Sequence, residues 1–190
     1  AVGLAAGHYL ATGAVPVVYM QNSGFGNTIN ALTSLTDPEV YGIPMLMVVG
    51  WRGEPGKKKD APQHVKMGKV MLDMIEVLGI PYEVVPDDLE LAADAVARAS
   101  AWMLAEQSPY VLVISAGTFG KYSLKSERPQ VYEMSREEAI QHVVAALPDN
   151  ALLVSTTGKP SRELFEVREQ RGEGHDNDFL TVGCMGIRSV

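Results

Sequence analysis

The chain has a single cysteine, Cys184, which excludes a disulfide within the chain and a thiolate zinc cluster. Positive charge is scarce: 16 Lys and Arg face 23 Asp and Glu, for a formal net charge of −7. A nucleic-acid binder needs a basic face for phosphate contacts, so that class is set aside. Long apolar runs are missing as well; the hydrophobic stretches are short and interrupted, and none approaches the ~20 residues that cross a bilayer. The first residues lack a basic segment followed by an apolar signal core, and the expected setting is cytoplasmic. No repeat with a period of about 20–50 residues is present, which excludes a solenoid.

What remains is the composition of a globular chain. Of 190 residues, 46% are apolar and 21% charged, enough to bury the core of one ordinary domain and part of a second. Helical and strand patterns alternate, which predicts an α/β fold with a mostly parallel sheet flanked by helices. Residues 1–12 are small and apolar and stop at Gly13, as a helix does. Strands are expected over 15–20, 44–50, 82–85 and 110–115, and helices over 27–35, 65–78 and 89–107. Residues 51–60 form a loop rich in Gly, Pro and Lys. The stretch 117–134 has no sustained apolar period and reads as a linker. A second unit then opens at Ser135, where Ser-Arg-Glu-Glu has the form of a capping box. It continues as a helix over 135–146, a strand over 151–155, a helix over 160–169 and a strand over 179–182. The expected division is therefore 1–134 and 135–190.

The most informative segment is Gln21-Asn22-Ser23-Gly24-Phe25-Gly26-Asn27, where an apolar strand feeds into polar residues spaced by two glycines ahead of a helix. Glycine lets backbone approach a ligand or another backbone closely, and helix N-terminal amides can face an anion. The segment is neither a Walker A loop nor a GxGxxG fingerprint. It serves equally well as a plain strand-to-helix turn.

Its neighbours add specificity. Taken in order, Ala1-Val2-Gly3-Leu4-Ala5-Ala6-Gly7, then Tyr19-Met20-Gln21-Asn22-Ser23-Gly24-Phe25-Gly26-Asn27, then Gly50-Trp51-Arg52-Gly53-Glu54-Pro55-Gly56, the chain resembles the pyrimidine-binding domain of thiamine diphosphate enzymes. Among these it is most similar to the phosphonopyruvate decarboxylase family, with the sulfopyruvate decarboxylases as near relatives. The resemblance continues through Thr156-Thr157-Gly158-Lys159 to Gly183-Cys184-Met185-Gly186.

The resemblance implies a carbon–carbon lyase that uses thiamine diphosphate and Mg²⁺ to decarboxylate 3-phosphonopyruvate, with sulfopyruvate as the rival substrate. Residues 1–134 would be most of the pyrimidine-binding domain, and 135–190 the opening of the pyrophosphate-binding domain. It places the activating glutamate just before Ala1 and the Gly-Asp-Gly metal motif after Val190. The chain by itself is then expected to be inactive, as a fragment or a partner-dependent subunit. The cofactor would lie at a subunit interface, in a dimer or larger homo-oligomer, with no nucleic-acid or membrane partner. No metal ligand is expected among these residues.

The resemblance also assigns residues. Gln21, Asn22, Ser23, Gly24, Gly26 and Asn27 would lie near the cofactor, and Thr156, Thr157 and Gly158 would offer donors to its diphosphate. Met185, flanked by Gly183 and Cys184, would wedge between the cofactor's rings. Cys184, whose thiol is a weaker donor than a hydroxyl, stands where the family has serine, and no base is evident to make it a nucleophile. Gln63 and His64 would face the substrate, with His64 able to donate a proton to a developing enolate or to hydrogen-bond the carboxylate. Arg52 is the expected contact for the phosphonate, because it follows a strand and carries a bidentate fork. The run Lys57, Lys58 and Lys59 reads as a solvated loop. His8 reads as a packed histidine, and His142 and His175 carry no supporting context.

Overall fold

A computed structural model describes residues 1–123, 131–156 and 158–181. The chain divides into two compact units, Ala1–Lys121 and Tyr122–Val190. The first unit is an α/β layer built on four parallel strands, β1 (Val17–Gln21), β2 (Met45–Gly50), β3 (Tyr82–Val84) and β4 (Pro109–Ile114), in the order β1-β2-β4-β3. The two central strands are β2 and β4. Buried on both faces, β4 is apolar along most of its length, as parallel-sheet strands are. In β2 the fully buried positions alternate, with Met45, Met47 and Val49 pointing into one layer of core.

That layer lies under helices α1 (Val2–Thr12) and α3 (Pro62–Val77), and it gathers Val18, Phe25, Leu32, Ile43, Met71, Ile75, Val111 and Val113. The other face is covered by α4 (Leu89–Glu106), through Ala95, Ala99 and Met103 against Tyr110 and Leu112. Small residues on α4 let it lie close to the sheet. Asp88 starts it by accepting the amide hydrogen of Leu91 at 3.0 Å. Above the edge strand β1 this face is bare, and Tyr19 is 77% exposed.

The principal departure from the sequence reading falls between β1 and β2. A helix was expected over 27–35 after a loop. Instead the chain turns helical at Asn22 and runs through a 3₁₀ segment (Asn22–Thr28), one α-helical turn α2 (Ile29–Ala31) and a π-helical turn (Leu32–Thr36). Hydroxyls hold the irregular turns: Thr28 Oγ1 donates to the Phe25 carbonyl at 2.6 Å and Thr36 Oγ1 to that of Leu32 at 3.0 Å. Phe25, wholly buried, anchors the 3₁₀ segment in the core. Gly24 and Gly26 therefore lie in a helical segment, and neither has a positive φ. Helix α3 likewise begins earlier than expected, with Pro62 in its first turn. The other boundaries differ from expectation by one or two residues, the usual uncertainty at element ends.

The second unit contains α5 (Arg136–Ala146), β5 (Leu153–Ser155), α6 (Lys159–Arg171) and β6 (Asp178–Leu180), with β5 and β6 parallel. The capping box forms as the sequence predicts: the Glu138 amide donates to Ser135 Oγ at 3.2 Å, and the Ser135 amide to Glu138 Oε2 at 2.6 Å. Val144, Leu164 and Val167 make the small core. Arg168 is held between Asp178 and Glu173, and the ring of His175 stacks on Phe165 with centroids 4.2 Å apart.

One contact decides how α3 sits. A Cβ at Gly68 would lie 1.9 Å from the carbonyl oxygen of Gly53, so only glycine lets the helix meet the turn after β2. Gly68→Ala should destabilise the first unit by about 1–3 kcal/mol through overpacking. Gly7→Ala, where a Cβ would meet no described atom within 4 Å, should be neutral or stabilising by up to about 1 kcal/mol. Urea denaturation of the two variants checks the contrast.

Candidate functional site

The carboxyl ends of β1, β2 and β4 are level: Gln21 pairs with Gly50, and Gly50 with Ile114. Parallel α/β sheets bind ligands at this edge. Here the turn after β2 is fixed from three sides. The Trp51 amide donates to the Ile114 carbonyl at 2.8 Å, and the Trp51 indole Nε1 to the Gly68 carbonyl at 2.8 Å. Asn22, which is wholly buried, grips the backbone of Arg52 at both ends. Its Nδ2 donates to the Arg52 carbonyl at 2.8 Å, and its Oδ1 accepts the Arg52 amide hydrogen at 3.2 Å. One donor and one acceptor of Asn22 thereby join the end of β1 to the turn after β2.

Arg52 projects from this turn, and its guanidinium pairs with Asp60 in bidentate fashion. Nε lies 2.7 Å from Oδ2 and Nη2 lies 2.6 Å from Oδ1. Asp60 also accepts the amide hydrogens of Gly53 at 3.0 Å and Ala61 at 2.7 Å. The Arg52 hydrogen bond, assisted by those two amides and outweighing partial burial, holds the Asp60 carboxyl well below the usual carboxylate range. The same hydrogen bond raises the Arg52 pKa further. Nothing in the sequence reading singled out Asp60. The signal available was an acidic residue eight positions after Arg52, across a loop with two glycines.

Gln63 and His64 lie in the first turn of α3, not on a loop before it. His64 is buried, and Gly53 packs on its backbone: a Cβ at Gly53, whose φ is +70°, would come 2.1 Å from the His64 carbonyl oxygen. Burial first, and then the charge of Arg52, lower the imidazole pKa from 6.5, while Asp60 opposes them. Among the described residues Nδ1 of His64 is buried without a hydrogen-bond partner, as is Oε2 of Glu54. Buried polar atoms are satisfied in the great majority of cases, and one left unpaired costs about 1–3 kcal/mol. Lys57, Lys58 and Lys59 are exposed on the intervening loop.

The remaining candidates in the first unit line the end of β1. Gln21 is exposed, and its Oε1 accepts a hydrogen bond from Ser23 Oγ at 2.6 Å. Asn27 is exposed as well, and a Cβ at Gly24 or Gly26 would meet no described atom within 4 Å. Packing within the described chain therefore does not require glycine at either place. This donor set, with open backbone beside it, fits a heterocyclic cofactor that offers hydrogen-bonding edges. The structure brings Asn22, Arg52, Asp60 and His64 together at one corner, with Gln21 and Ser23 next in the chain to Asn22.

In the second unit Thr156 follows β5, and Gly158, with φ 90° and ψ −134°, precedes α6 in a conformation open to glycine alone. Ser161 Oγ donates to the Thr156 carbonyl at 2.7 Å. Helix starts in general attract anions through their free amides; here Pro160, in the first turn, has none to offer. Thr157, Gly183, Cys184 and Met185 lie outside the described residues. Among the described residues no three His, Cys, Asp or Glu side chains gather as a metal would require, and no helix is long and apolar enough to cross a membrane.

The burial of His64 has a thermodynamic consequence. Its folded pKa lies below its unfolded value of 6.5, so the unfolded chain binds the proton more readily. The stability that the neutral form contributes is complete above 6.5 and is lost as pH falls through the folded pKa. The melting-temperature difference between wild type and His64→Gln should therefore shrink on going from about pH 8 to about pH 5. A pH-independent difference would contradict the shift.

Comparison with known proteins identifies the family. Residues 1–71, which include α1, β1 and the corner just described, match the family model described as the thiamine pyrophosphate enzyme N-terminal TPP binding domain. The chain is 33% identical over 201 residues to a phosphonopyruvate decarboxylase of Streptomyces viridochromogenes, covering 98% of this chain and 48% of that protein. It is 35% identical over 126 residues to the sulfopyruvate decarboxylase subunit alpha of Methanocaldococcus jannaschii, covering 66% of this chain and 70% of that subunit. A phosphonopyruvate decarboxylase of Streptomyces hygroscopicus is 32% identical over 208 residues. The chain spans about half the length of the phosphonopyruvate decarboxylases it matches. It belongs to the thiamine pyrophosphate enzyme family, in the group that holds the phosphonopyruvate and sulfopyruvate decarboxylases.

Proposed function

We propose that the complete enzyme decarboxylates 3-phosphonopyruvate to phosphonoacetaldehyde and carbon dioxide, with thiamine diphosphate and Mg²⁺. The observation that carries this reading is the corner at the carboxyl edge of the sheet. There a buried imidazole with an unpaired nitrogen lies behind an exposed guanidinium. Thiamine diphosphate supplies the electron sink for the pair of electrons left when carbon dioxide departs.

The chain's own residues bind and orient. Arg52 contacts the anionic end of the substrate, and the Asn22 amide keeps its backbone from moving. His64, neutral near pH 7 because it is buried beside Arg52, hydrogen-bonds the carboxylate, or takes up a proton from solvent and passes it to the carbon from which carbon dioxide has left. Gln63, one residue earlier on the same turn, assists in orienting the substrate. Gln21, Ser23, Gly24, Gly26 and Asn27 lie against the cofactor, and Asn22 serves it indirectly by holding the turn. In the second unit Thr156, Thr157 and Gly158 would hold the diphosphate, and Met185, between Gly183 and Cys184, would pack against the cofactor's rings. The exposed apolar side chains of Leu4, Val17 and Tyr19 on α1 and β1 suit a second subunit, and a cytoplasmic homo-oligomer is the expected form.

Sulfopyruvate is the second reading, favoured by the similarity to the alpha subunit over 70% of its length. Both anions carry a tetrahedral group with three oxygens beside a 2-oxo acid, and Arg52 would grip either. The test is a comparison of kcat/KM for the two substrates on the full-length protein with cofactor and Mg²⁺. A higher value for phosphonopyruvate is expected; a higher value for sulfopyruvate reverses the order, and no turnover of either sinks both readings.

Two variants separate binding from chemistry. Arg52→Ala should raise KM by about tenfold or more, since a charge-assisted bidentate contact is worth roughly 1.5–3 kcal/mol, with little change in cofactor affinity. His64→Ala should lower kcat by about 10²-fold, as loss of a positioned acid–base group does. An unchanged KM in the first or an unchanged kcat in the second removes that residue from its role.

A further inference from the structure

The Arg52 guanidinium has five N–H groups in a fixed plane. Asp60 takes one from Nε and one from Nη2, both on the inner edge. Nη1 makes no hydrogen bond among the described residues, and the Arg52 side chain is 46% exposed, against 17% for Asp60. The outer edge, formed by Nη1 and the second Nη2 hydrogen, is left facing outward as a flat pair of parallel donors.

Asp60 does more than neutralise its partner. Each of its oxygens accepts two hydrogens: Oδ2 from Arg52 Nε and the Gly53 amide, Oδ1 from Arg52 Nη2 and the Ala61 amide. The carboxylate thus ties the first residue of α3's approach to the turn after β2, and it closes residues 53–59 into a ring. Gly53 at φ +70° and Gly56 at φ +80° permit that ring. An arginine on an open loop would lose much side-chain freedom on meeting an anion. Here that ordering is complete before binding, which is what pre-organisation means energetically.

We propose that Asp60 is a positioning residue for the anion site: it holds the inner edge of Arg52 so that the outer edge stands as a ready-made fork for the phosphonate or sulfonate of the substrate. The assignment rests on the reading of Arg52 as the anion contact. Because Asp60 cancels the charge of Arg52 at a distance, recognition at this point depends on the direction of the donors more than on net charge. Lysine, a point charge without a fork, cannot replace the arginine. Asparagine cannot replace Asp60, since an amide NH₂ at the Oδ2 position would face two donors, Arg52 Nε and the Gly53 amide.

The test is calorimetric titration of 3-phosphonopyruvate and sulfopyruvate into the full-length, cofactor-free protein, for wild type, Asp60→Asn, Arg52→Ala and the double variant. Turnover is measured in parallel on the cofactor-loaded proteins. Asp60→Asn should weaken binding by about tenfold, the equivalent of 1.4 kcal/mol, and should add little to Arg52→Ala, because the two act as a unit. Arg52→Lys, which leaves Asp60 its two backbone amides, should lose affinity to a similar degree. Independent, additive losses would overturn the role of Asp60 while leaving the activity in place; so would wild-type affinity in Arg52→Lys. Non-additive losses of affinity in a protein that turns over neither substrate would leave the positioning role standing and remove the activity. Absence of wild-type binding to either anion overturns the positioning role, and absence of turnover as well removes the activity with it.

Discussion

The arrangement depends on one close approach between two stretches of backbone, the turn after β2 and the first turns of α3. Gly68 admits the carbonyl of Gly53, and Gly53 admits the carbonyl of His64, at distances where any Cβ would collide. No side chain separates the two segments. Each residue at the corner takes its place from that approach: Trp51 reaches the Gly68 carbonyl, and Asp60 can span from the Gly53 amide to the start of the helix. His64 is buried behind Arg52 for the same reason. A glycine-to-glycine contact gives a rigid base on which polar side chains can be aimed, because backbone positions vary far less than rotamers.

Asn22 and Asp60 then divide the task between them. Asn22 secures the backbone of Arg52 from the β1 side, and Asp60 secures its side chain from the α3 side. Asp60 is saturated, each oxygen accepting two hydrogens, while Asn22 commits one donor and one acceptor to Arg52. His64 Nδ1 and Glu54 Oε2 are not satisfied. The corner therefore pairs supports fixed by several hydrogen bonds with a few unsatisfied groups, the pattern expected where a scaffold orients functional atoms toward a ligand.

The sequence made the α/β class legible because parallel strands buried on both faces read as short apolar runs, 44–50 and 110–115 above all. The capping box at Ser135 was equally plain, since that signal is local. The helical course of Asn22–Thr28 was not legible. Two glycines in a polar run suggest an open loop, and what makes the run helical is the burial of Phe25 and Asn22 in a core that exists only once β2 and α3 are in place. His64 falls just ahead of the helix expected over 65–78 for a similar reason: Pro62, which opens α3, does not stand out as the first residue of a helix. Arg52 was expected as the fork for the phosphonate, whereas two of its five N–H groups are committed to Asp60. That pairing crosses a Gly- and Lys-rich loop and leaves no periodic trace. Resemblance to the decarboxylase group supplied residue identities; their hydrogen-bond partners came only from the fold.

The central claim is that the outer edge of Arg52 and the imidazole of His64 receive a small anionic 2-oxo acid at the carboxyl edge of the sheet. A crystal structure of the full-length protein with thiamine diphosphate and a non-cleavable phosphonopyruvate analogue tests it most directly. The account predicts phosphonate oxygens within hydrogen-bonding distance of Arg52 Nη1 and Nη2, the Arg52–Asp60 pair intact, and the analogue's carboxylate facing His64. An analogue seated elsewhere, with the outer edge of Arg52 still turned to solvent, would contradict it.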